Sequence, residues 1–589
     1  MTPVPLFGPI PQDPYPDNAS PDGHFPGSLA CHEYDGAVTP AGPSLATEPQ
    51  RRPQQDGGSL ALNARSSAIQ GGRKTEINDV HSSSSEVLPR PAAVPLPAAT
   101  RELLASLQQG AISAAAYDTA FVARLRQPDD PNAMAYPQTL GWLLRSQNAD
   151  GSFGTTLPIP KDKLVSTLSA LVALADLPPQ LQDGVAHRVR TKALRYLYED
   201  TGNWQTGPDM AGFELVLPAL LDEAKVRGLP LPFERFMGIS AQRDAKIGHI
   251  PPRLIYNVKT PLLHSLEYLG NRLDIEAARK QLSPNGSFAN SPSATAYFLL
   301  KTRDEQANEY IALLLRNRGD GSIPTVAPFE VFEIAWVLYN LARAGHRPAE
   351  ASPLLRYLAQ ALTDDGVGVS REGLRADADD TALTLSVLHR YGFPISAGPL
   401  RPFEGVNFFF TFPLERDASV TANAHVLEVL QVVQPFPRQH VIAQKVVKYL
   451  RDARVDGDHW VDKWHGSPFY ATAHAVFALT ASAPDACAKA FGWLRDSQRE
   501  DGSWGWFSNG TPEETAYAVQ ALMLAPAEFQ AGMKEPFERA AAYLNETDRE
   551  PVIPMWIGKT LYGPTQVVRA AVLSARTMLD RSEHARSAN

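Results

Sequence analysis

The chain is short of three features that would each define a class of protein. It has two cysteines, Cys31 and Cys487, among 589 residues, which excludes a disulfide framework and a cysteine-based zinc site. No stretch approaches the roughly 18 uninterrupted apolar residues of a membrane span. The 55 Lys and Arg residues are outnumbered by 64 Asp and Glu, which argues against a nucleic-acid-binding surface. We therefore expect a soluble protein of a reducing compartment and predict a cytoplasmic location.

Residues 1–97 differ in composition from the rest of the chain. They are rich in Pro, Ser and Gly and include four consecutive serines at 82–85. Such a segment does not bury enough apolar surface to offset the entropy lost on folding. It lacks the basic start and apolar run of a signal peptide, and its acidic residues are atypical of a transit peptide. We predict a disordered tail, with a folded β module as the alternative.

From Ala98 onward the apolar residues recur at helical spacing. The segments 164–177, 330–344 and 381–391 show the three- and four-residue period, and strand-like alternation is scarce. A short turn recurs between the helices, as in Asp150-Gly151-Ser152 and Asp501-Gly502-Ser503. Glycine supplies a positive φ there, and an aromatic residue follows that can pack beneath the turn. The pattern predicts an all-α fold built from repeated helical hairpins, with turns that carry no chemistry.

A cluster of carboxylates is the sharpest local feature. Asp377, Asp379 and Asp380 fall within four residues, directly before an apolar helical segment. Carboxylates this close repel one another, which raises the proton affinity of at least one. Taken alone, such a cluster is more often a solvated patch or a helix N-terminus favoured by the macrodipole. Its combination with Asp-Gly-Ser-Trp turns on an all-α chain is far more specific.

Over about residues 100–575 the sequence resembles the class II terpene cyclases, which include squalene–hopene cyclases and diterpene cyclases of the copalyl diphosphate synthase type. The resemblance implies that Asp379 is a general acid that protonates a terminal alkene and starts a carbocation cascade. Asp377 and Asp380 would tune and orient this acid. His425 falls where the family often places a hydrogen-bonding partner for it, and Asn423 is the alternative partner.

Several stretches resemble the branch of the family that acts on prenyl diphosphates rather than on squalene. They are 259–267, 290–297, 462–470, 513–518 and 556–562. The resemblance implies that Lys463, Lys559 and Lys259 hold the diphosphate, directly or through Mg²⁺, because ammonium groups bind phosphate as point charges. Glu199 and Asp200 resemble the family's acidic stretch associated with Mg²⁺. Mg²⁺ is therefore the expected cofactor.

The metal motifs of class I terpene synthases are absent from the sequence. Asp129-Asp130 and Asp364-Asp365 are not followed by the later acid of an Asp-Asp-x-x-Asp motif. The enzyme should therefore keep the diphosphate of its substrate. A class I terpene synthase or a phosphatase would then act on the product, so these are the expected pathway partners.

The residues that would end the cascade resemble the plant-type enzymes only in part. In that branch a His and an Asn position the water that takes the final proton, and His264 matches the His. The Asn position falls at Thr325, whose hydroxyl both donates and accepts but offers no amide. The stereochemistry of the product, and whether it is hydrated or rearranged, is left open.

The resemblance also implies a division into domains. A first helix at 98–114 would belong to a β-like barrel at 301–580, and a γ-like barrel at 115–300 would be inserted between them. The substrate would lie between the two barrels, with Asp379 on one side and His264 on the other. Residues 581–589 are predicted to be disordered, and the sequence does not determine the oligomeric state.

The predicted reaction is the cyclisation of geranylgeranyl diphosphate to a bicyclic labdane-type diphosphate. The alternatives are a drimane-type cyclase acting on farnesyl diphosphate and a squalene–hopene-type cyclase. A non-enzymatic α/α-repeat scaffold is the alternative from another class, and it would leave the three aspartates exposed to solvent. Protein prenyltransferase β-subunits share the barrel but need zinc ligands, and Cys487 has no convincing set around it.

Overall fold

The structure, a computed structural model, describes residues 98–199, 204–257, 260–413, 415, 417–547 and 551–587. The tail predicted at 1–97 lies outside these residues. The first half of the described chain contains α1 (Ala98–Ala105), α2 (Ala116–Ala123), α3 (Pro137–Arg145), α4 (Pro160–Ala175), α5 (Val185–Glu199), α6 (Phe213–Val226), α7 (Ile239–Gly248), α8 (Pro252–Ile255), α9 (Ile275–Arg279), α10 (Pro292–Leu299) and α11 (Glu305–Arg318). A 3₁₀ segment, Pro261–Arg272, lies between α8 and α9.

The second half is also helical. It contains α12 (Glu330–Arg343), α13 (Ser352–Ala361), α14 (Ala378–Arg390), α15 (Val420–Val432), α16 (Gln439–Asp452), α17 (Pro468–Leu479), α18 (Ala488–Asp496), α19 (Pro512–Leu522), α20 (Ala527–Ala531), α21 (Lys534–Glu546) and α22 (Thr565–Ser587). Two antiparallel strands, β1 (Trp556–Ile557) and β2 (Leu561–Tyr562), form one short hairpin. The all-α prediction is confirmed, because each strand has only two residues.

Five of the buried helices begin with the same local signal. A Ser, Thr or Asp side chain accepts a hydrogen bond from a backbone N–H of the first turn, which satisfies a donor that has no partner inside the helix. Proline often follows at the first helical position, where its missing N–H costs nothing. The capping residues are Ser291 of α10, Asp377 of α14, Ser419 of α15, Ser467 of α17 and Thr511 of α19.

Buried apolar residues form two large cores. The first core joins Leu103 of α1 to side chains from Val326 through Leu579. The second core runs from Ala116 through Ile323 and also takes in Ile557 and Leu561 of the hairpin. It therefore extends past the predicted limit at residue 300, because α11 packs on α10 and contributes its apolar face to the same core.

The C-terminal end differs from the expectation of disorder at 581–589. Helix α22 continues through Ser587. Arg581 donates a hydrogen bond to the carbonyl oxygen of Ala344, and Leu579 is buried in the first core. A tertiary contact thus holds the last turns of a helix whose sequence is polar. In the described part of the chain no helix is long and apolar enough to cross a membrane.

The recurring turn packs closely against a neighbouring backbone segment, as its glycine suggested. Gly321 has a φ of +87°, and a Cβ added there would lie 2.4 Å from the carbonyl oxygen of Gln138. Asp320 Oδ1 accepts hydrogen bonds from the backbone N–H and the hydroxyl of Ser322. The serine therefore closes its own turn and does not cap the next helix. None of these residues lines the cavity described below.

We predict that Gly321→Ala lowers the free energy of unfolding by about 3 kcal/mol or more, because it adds a backbone clash to an unfavourable φ. Gly319→Ala is the matched control, since Gly319 also has a positive φ but nothing lies within 4 Å of its added Cβ. That variant should cost only about 1–2 kcal/mol. Urea unfolding followed by circular dichroism measures both, and equal losses would contradict the contact.

Candidate active site

A cavity of about 1070 Å³, counted to its open mouth, lies between residues of the two cores. Its wall is mostly apolar and aromatic, and the aromatic members are Phe332, Trp336, Phe412, Trp464, Trp556 and Tyr562. Phe332 and Trp336 stack with ring centroids 4.1 Å apart, and Trp556 meets both edge-on. Aromatic faces attract positive charge. An apolar cavity with aromatic walls of this kind can stabilise a carbocation.

The three aspartates lie together at the N-terminal end of α14. Asp377, Asp379 and Asp380 all line the cavity and are 3%, 8% and 2% exposed. Asp377 is the N-cap of the helix, and its Oδ1 accepts hydrogen bonds from the backbone N–H groups of Asp379 and Asp380 at 2.9 and 2.8 Å. The helix dipole at this end favours negative charge. The site can therefore hold the carboxylate that an acid leaves behind.

Asp377 and Asp380 share one proton. Burial raises the pKa of both carboxyl groups above their ordinary values, and the charge of Asp379 raises both further. A hydrogen bond between the two carboxyl side chains requires that one of them is protonated. This arrangement removes one negative charge from beside Asp379.

His425 on α15 is the partner of Asp379. Its Nδ1 contacts Asp379 Oδ1, and its ring is fully buried and meets Trp336 edge-on. Asn423 is not this partner, so the alternative is wrong. Its amide binds the backbone of Phe409 twice and the carbonyl oxygen of Ser419. Residues two apart on a helix face different directions, which is why only one of the two reaches the acid.

His264 and Thr325 lie in the wall of the same cavity. His264 Nδ1–H donates to the carbonyl oxygen of Ala289 at 2.8 Å. Burial and the nearby charge of Lys559 lower the pKa of His264 to about 3, so the ring is neutral and Nε2 keeps its lone pair. The hydroxyl of Thr325 is buried and has no hydrogen-bond partner among the described residues. The structure therefore brings a neutral base and an unpaired hydroxyl to the cavity that holds Asp379.

Lys559 does not serve the diphosphate, contrary to the sequence-based expectation. Its side chain is fully buried, and its Nζ contacts Glu267 Oε1 at 2.8 Å and the carbonyl oxygen of His264 at 2.8 Å. The hydroxyl groups of Ser291 and Ser293 lie 2.6 and 2.5 Å away. These contacts use all the donors of an ammonium group. Lys559 is thus a structural residue that joins the hairpin turn to the 3₁₀ segment.

Lys463 lies at the edge of the cavity. Its Nζ donates to Glu415 Oε2 at 2.8 Å and to the carbonyl oxygen of Asp417 at 2.9 Å. Glu415 itself lines the cavity. Burial lowers the pKa of Lys246, and the charges of Glu214, with which it pairs, and of the nearby Glu415 oppose that shift. No sequence motif pointed to Lys246, whereas Lys259 lies outside the described residues.

The acidic stretch expected to hold Mg²⁺ fits poorly. Glu199 is exposed on α5 and forms an ion pair with Arg195 at 2.7 Å, and Asp200 lies outside the described residues. Among the described residues no group of three or more His, Cys, Asp or Glu could hold a metal ion. Glu415 fits better, because it lines the cavity and its Oε1 has no partner among the described residues. One carboxylate suffices where phosphate oxygens and water complete the shell.

The comparisons with known proteins agree with this geometry. The family model described as Squalene-hopene cyclase C-terminal domain matches residues 414–564. Over 510 residues the chain is 34% identical to a type B diterpene cyclase of Mycobacterium tuberculosis, covering 82% of this chain and 99% of that protein. The structure of ent-copalyl diphosphate synthase from Streptomyces platensis matches with a TM-score of 0.66 at 30% identity, over 82% of this chain and 98% of that one.

A plant structure matches as well. The ent-copalyl diphosphate synthase of Arabidopsis thaliana, solved with (S)-15-aza-14,15-dihydrogeranylgeranyl thiolodiphosphate, has a TM-score of 0.62 at 26% identity. The match covers 81% of this chain and 62% of that longer one. The fold is therefore that of the class II terpene cyclases. Within that class the chain belongs to the diterpene cyclases, the copalyl diphosphate synthase-like enzymes. The prediction of a class II cyclase is confirmed.

We predict that Lys559→Met lowers the free energy of unfolding by about 3–5 kcal/mol, because it leaves the buried Glu267 carboxylate without its cation. Lys448→Met is the control, since that ammonium group is exposed and pairs only with Asp452 on the helix surface. It should change stability by about 0.5 kcal/mol or less. Chemical unfolding measures both. Adding Glu267→Gln to Lys559→Met should recover part of the loss, and a further loss would contradict the assigned ion pair.

Proposed function

We propose that the protein cyclises geranylgeranyl diphosphate to a bicyclic, labdane-type diphosphate and retains the diphosphate group. The observation that carries the proposal is the position of Asp379. It lines an aromatic cavity, its Oδ1 is held by His425, and the helix N-terminus stands behind it. An alkene is a very weak base, and protonating it calls for an acid whose conjugate base is stabilised in a dry site.

The reaction begins with transfer of the Asp379 proton to the CH carbon of the distal alkene, the one that does not carry the two methyl groups. The π electrons of that alkene form the new C–H bond and leave a tertiary cation, which the next two alkenes attack in turn to close two rings. The resulting cation then loses a proton. His264 Nε2, with its lone pair, supports this last step directly or through a water held by the Thr325 hydroxyl. The product is an isomer of the substrate.

The diphosphate would stay at the cavity mouth. Lys463 and Lys246 supply positive charge near Glu415, which lines the cavity, and the interior beyond is apolar. This change from a charged mouth to an apolar interior suits a molecule with a charged head and a hydrocarbon tail. Mg²⁺ stays a proposed cofactor, with Glu415 as the described carboxylate that would hold it together with phosphate oxygens. The ion would neutralise phosphate charge.

The burial of the aspartates and the charge at the cavity mouth also distinguish the proposed reaction from its alternatives. Burial of all three aspartates speaks against a scaffold, which would leave them exposed. Charged pairs at the mouth speak against squalene, which carries no charge. Farnesyl diphosphate would use the same acid and the same mouth, so the drimane-type reaction stays the second candidate. The cytoplasmic location and a downstream class I synthase or phosphatase stay proposals.

The deciding experiment incubates the purified enzyme with geranylgeranyl diphosphate, farnesyl diphosphate or squalene, each with Mg²⁺ and with EDTA. Products are dephosphorylated where needed and identified by gas chromatography–mass spectrometry. A bicyclic diterpene alcohol supports the proposal, and a bicyclic sesquiterpene alcohol supports the second candidate. Turnover of squalene alone would contradict the proposal that the charged residues at the cavity mouth bind a diphosphate. Equal turnover in EDTA would remove Mg²⁺ from the proposal.

We predict that Asp379→Asn lowers kcat for geranylgeranyl diphosphate by about 10³-fold or more, because an amide cannot donate the initiating proton. Asp364→Asn is the matched control, since Asp364 is exposed on the loop before α14. It should keep full activity. Steady-state rates of product formation measure both variants, and appreciable turnover by Asp379→Asn would assign the acid to another residue.

We predict that Lys463→Met raises KM for the diphosphate substrate about tenfold, because the head group loses a charge-assisted contact at the mouth. The exposed Lys489 gives the control variant Lys489→Met, for which KM should not change. The rate at saturating substrate should fall much less than kcat/KM does, since Lys463 lies outside the acid cluster. An unchanged KM would show that the head group binds elsewhere.

A further inference from the structure

A second buried histidine stands directly behind the acid and its partner. His474 lies on α17 and is fully buried. Its Nδ1 is 2.6 Å from Nε2 of His425, whose Nδ1 contacts Asp379 Oδ1. The three side chains form a line that leads from the cavity into the first core. His474 is not among the residues of the cavity wall, so it does not touch the substrate.

His474 is neutral. Burial lowers its pKa well below the ordinary value for histidine, and the neighbouring His425, Arg343 and His465 lower it further. Its ring packs against aromatic side chains, stacking on Tyr339 and touching Tyr470, Phe477 and Tyr517. A neutral imidazole carries a single N–H. In His474 that hydrogen lies on either Nδ1 or Nε2.

The geometry places that hydrogen on Nδ1. Nε2 of His474 is buried and has no hydrogen-bond partner among the described residues. A buried N–H without an acceptor is rarer and costs more than a buried lone pair without a donor. With the hydrogen on Nδ1, His474 donates to Nε2 of His425, and its own unpaired lone pair faces the aromatic shell.

This hydrogen bond from His474 determines which ring nitrogen of His425 carries the hydrogen. Because Nε2 of a neutral His425 then accepts, its hydrogen must be on Nδ1, which donates to Asp379 Oδ1. The acidic proton of Asp379 is thereby left on Oδ2, the oxygen available to the cavity. In the other tautomer, Nδ1 of His425 would accept the proton of Asp379 and hold it away from the substrate.

We propose that His474 is a positioning residue that fixes the tautomer of His425 and so keeps the acidic proton of Asp379 directed into the cavity. The inference rests on the proposed role of Asp379 as the acid. It assigns a function to a residue that neither the motif nor the cavity wall contains, and it requires no proton to pass through His474 during turnover.

The kinetic test compares two substitutions at this position. His474→Phe keeps an aromatic ring but removes the donor, and we expect kcat to fall about 100-fold with KM within about twofold, as when a tautomer-fixing partner is lost. His474→Asn offers an amide N–H close to the position of Nδ1 and should stay within about fivefold of wild type. Full activity of His474→Phe, or equal losses in both variants, would overturn the proposal.

The matched control is His459→Phe. His459 is also a buried ring, hydrogen-bonded to Asp458 and stacked on Trp493 at 4.7 Å. Its replacement should leave kcat unchanged. A loss as large as that of His474→Phe would mean that removal of any buried imidazole from this core lowers activity, which contradicts a specific role.

A second measurement does not depend on turnover or on a folded variant. In wild-type enzyme labelled with ¹⁵N-histidine, long-range ¹H–¹⁵N correlation spectra report which ring nitrogen carries the hydrogen. The signals of His425 are those lost in His425→Gln. We expect the Nδ1–H form, and an Nε2–H or doubly protonated ring would overturn the proposal. If the wild type fails to convert any diphosphate, the proposed function fails while this readout still decides the tautomer.

Discussion

The buried ammonium group of Lys559 is the contact on which the geometry of the cavity depends. It sits in the turn between β1 and β2 and binds Glu267 and the carbonyl oxygen of His264, both on the 3₁₀ segment. The same short hairpin presents Trp556 and Tyr562 to the cavity. A charge so deeply buried is tolerated only where each of its donors has a partner. This network therefore fixes the aromatic wall against the proposed terminating base.

On the other side of the cavity, the acid depends on a different set of constraints. The N-terminus of α14 and the N-cap Asp377 set the backbone at Asp379, and His425 sets its side chain. Burial raises the pKa of Asp377 and Asp380, so the pair shares a proton instead of carrying two charges. The cavity thus holds an acid at one wall and a neutral imidazole, His264, at another. A cation formed between them would contact the aromatic side chains of the cavity wall.

Much of this could be predicted because the signals are local. The helical period and the Asp-Gly-Ser turns depend on neighbours within a few positions, and both appear in the structure as helices and tight turns. The carboxylate cluster could be recognised for the same reason. The correct choice of His425 over Asn423 came from the family pattern, whereas the structure supplies its cause, the direction each side chain takes from α15.

The sequence by itself determined the fold class, the helix starts and the identity of the acidic cluster, because these depend on short-range geometry. Only the tertiary structure decided which charges reach the substrate. Lys463 and Lys559 look alike in sequence, each within three residues of a tryptophan. Yet one contacts Glu415 in the cavity wall and the other is bound to Glu267, 292 residues away. Lys246 and His474 carry no local signal at all. Burial and long-range pairing assign their roles, and neither is encoded in adjacent residues.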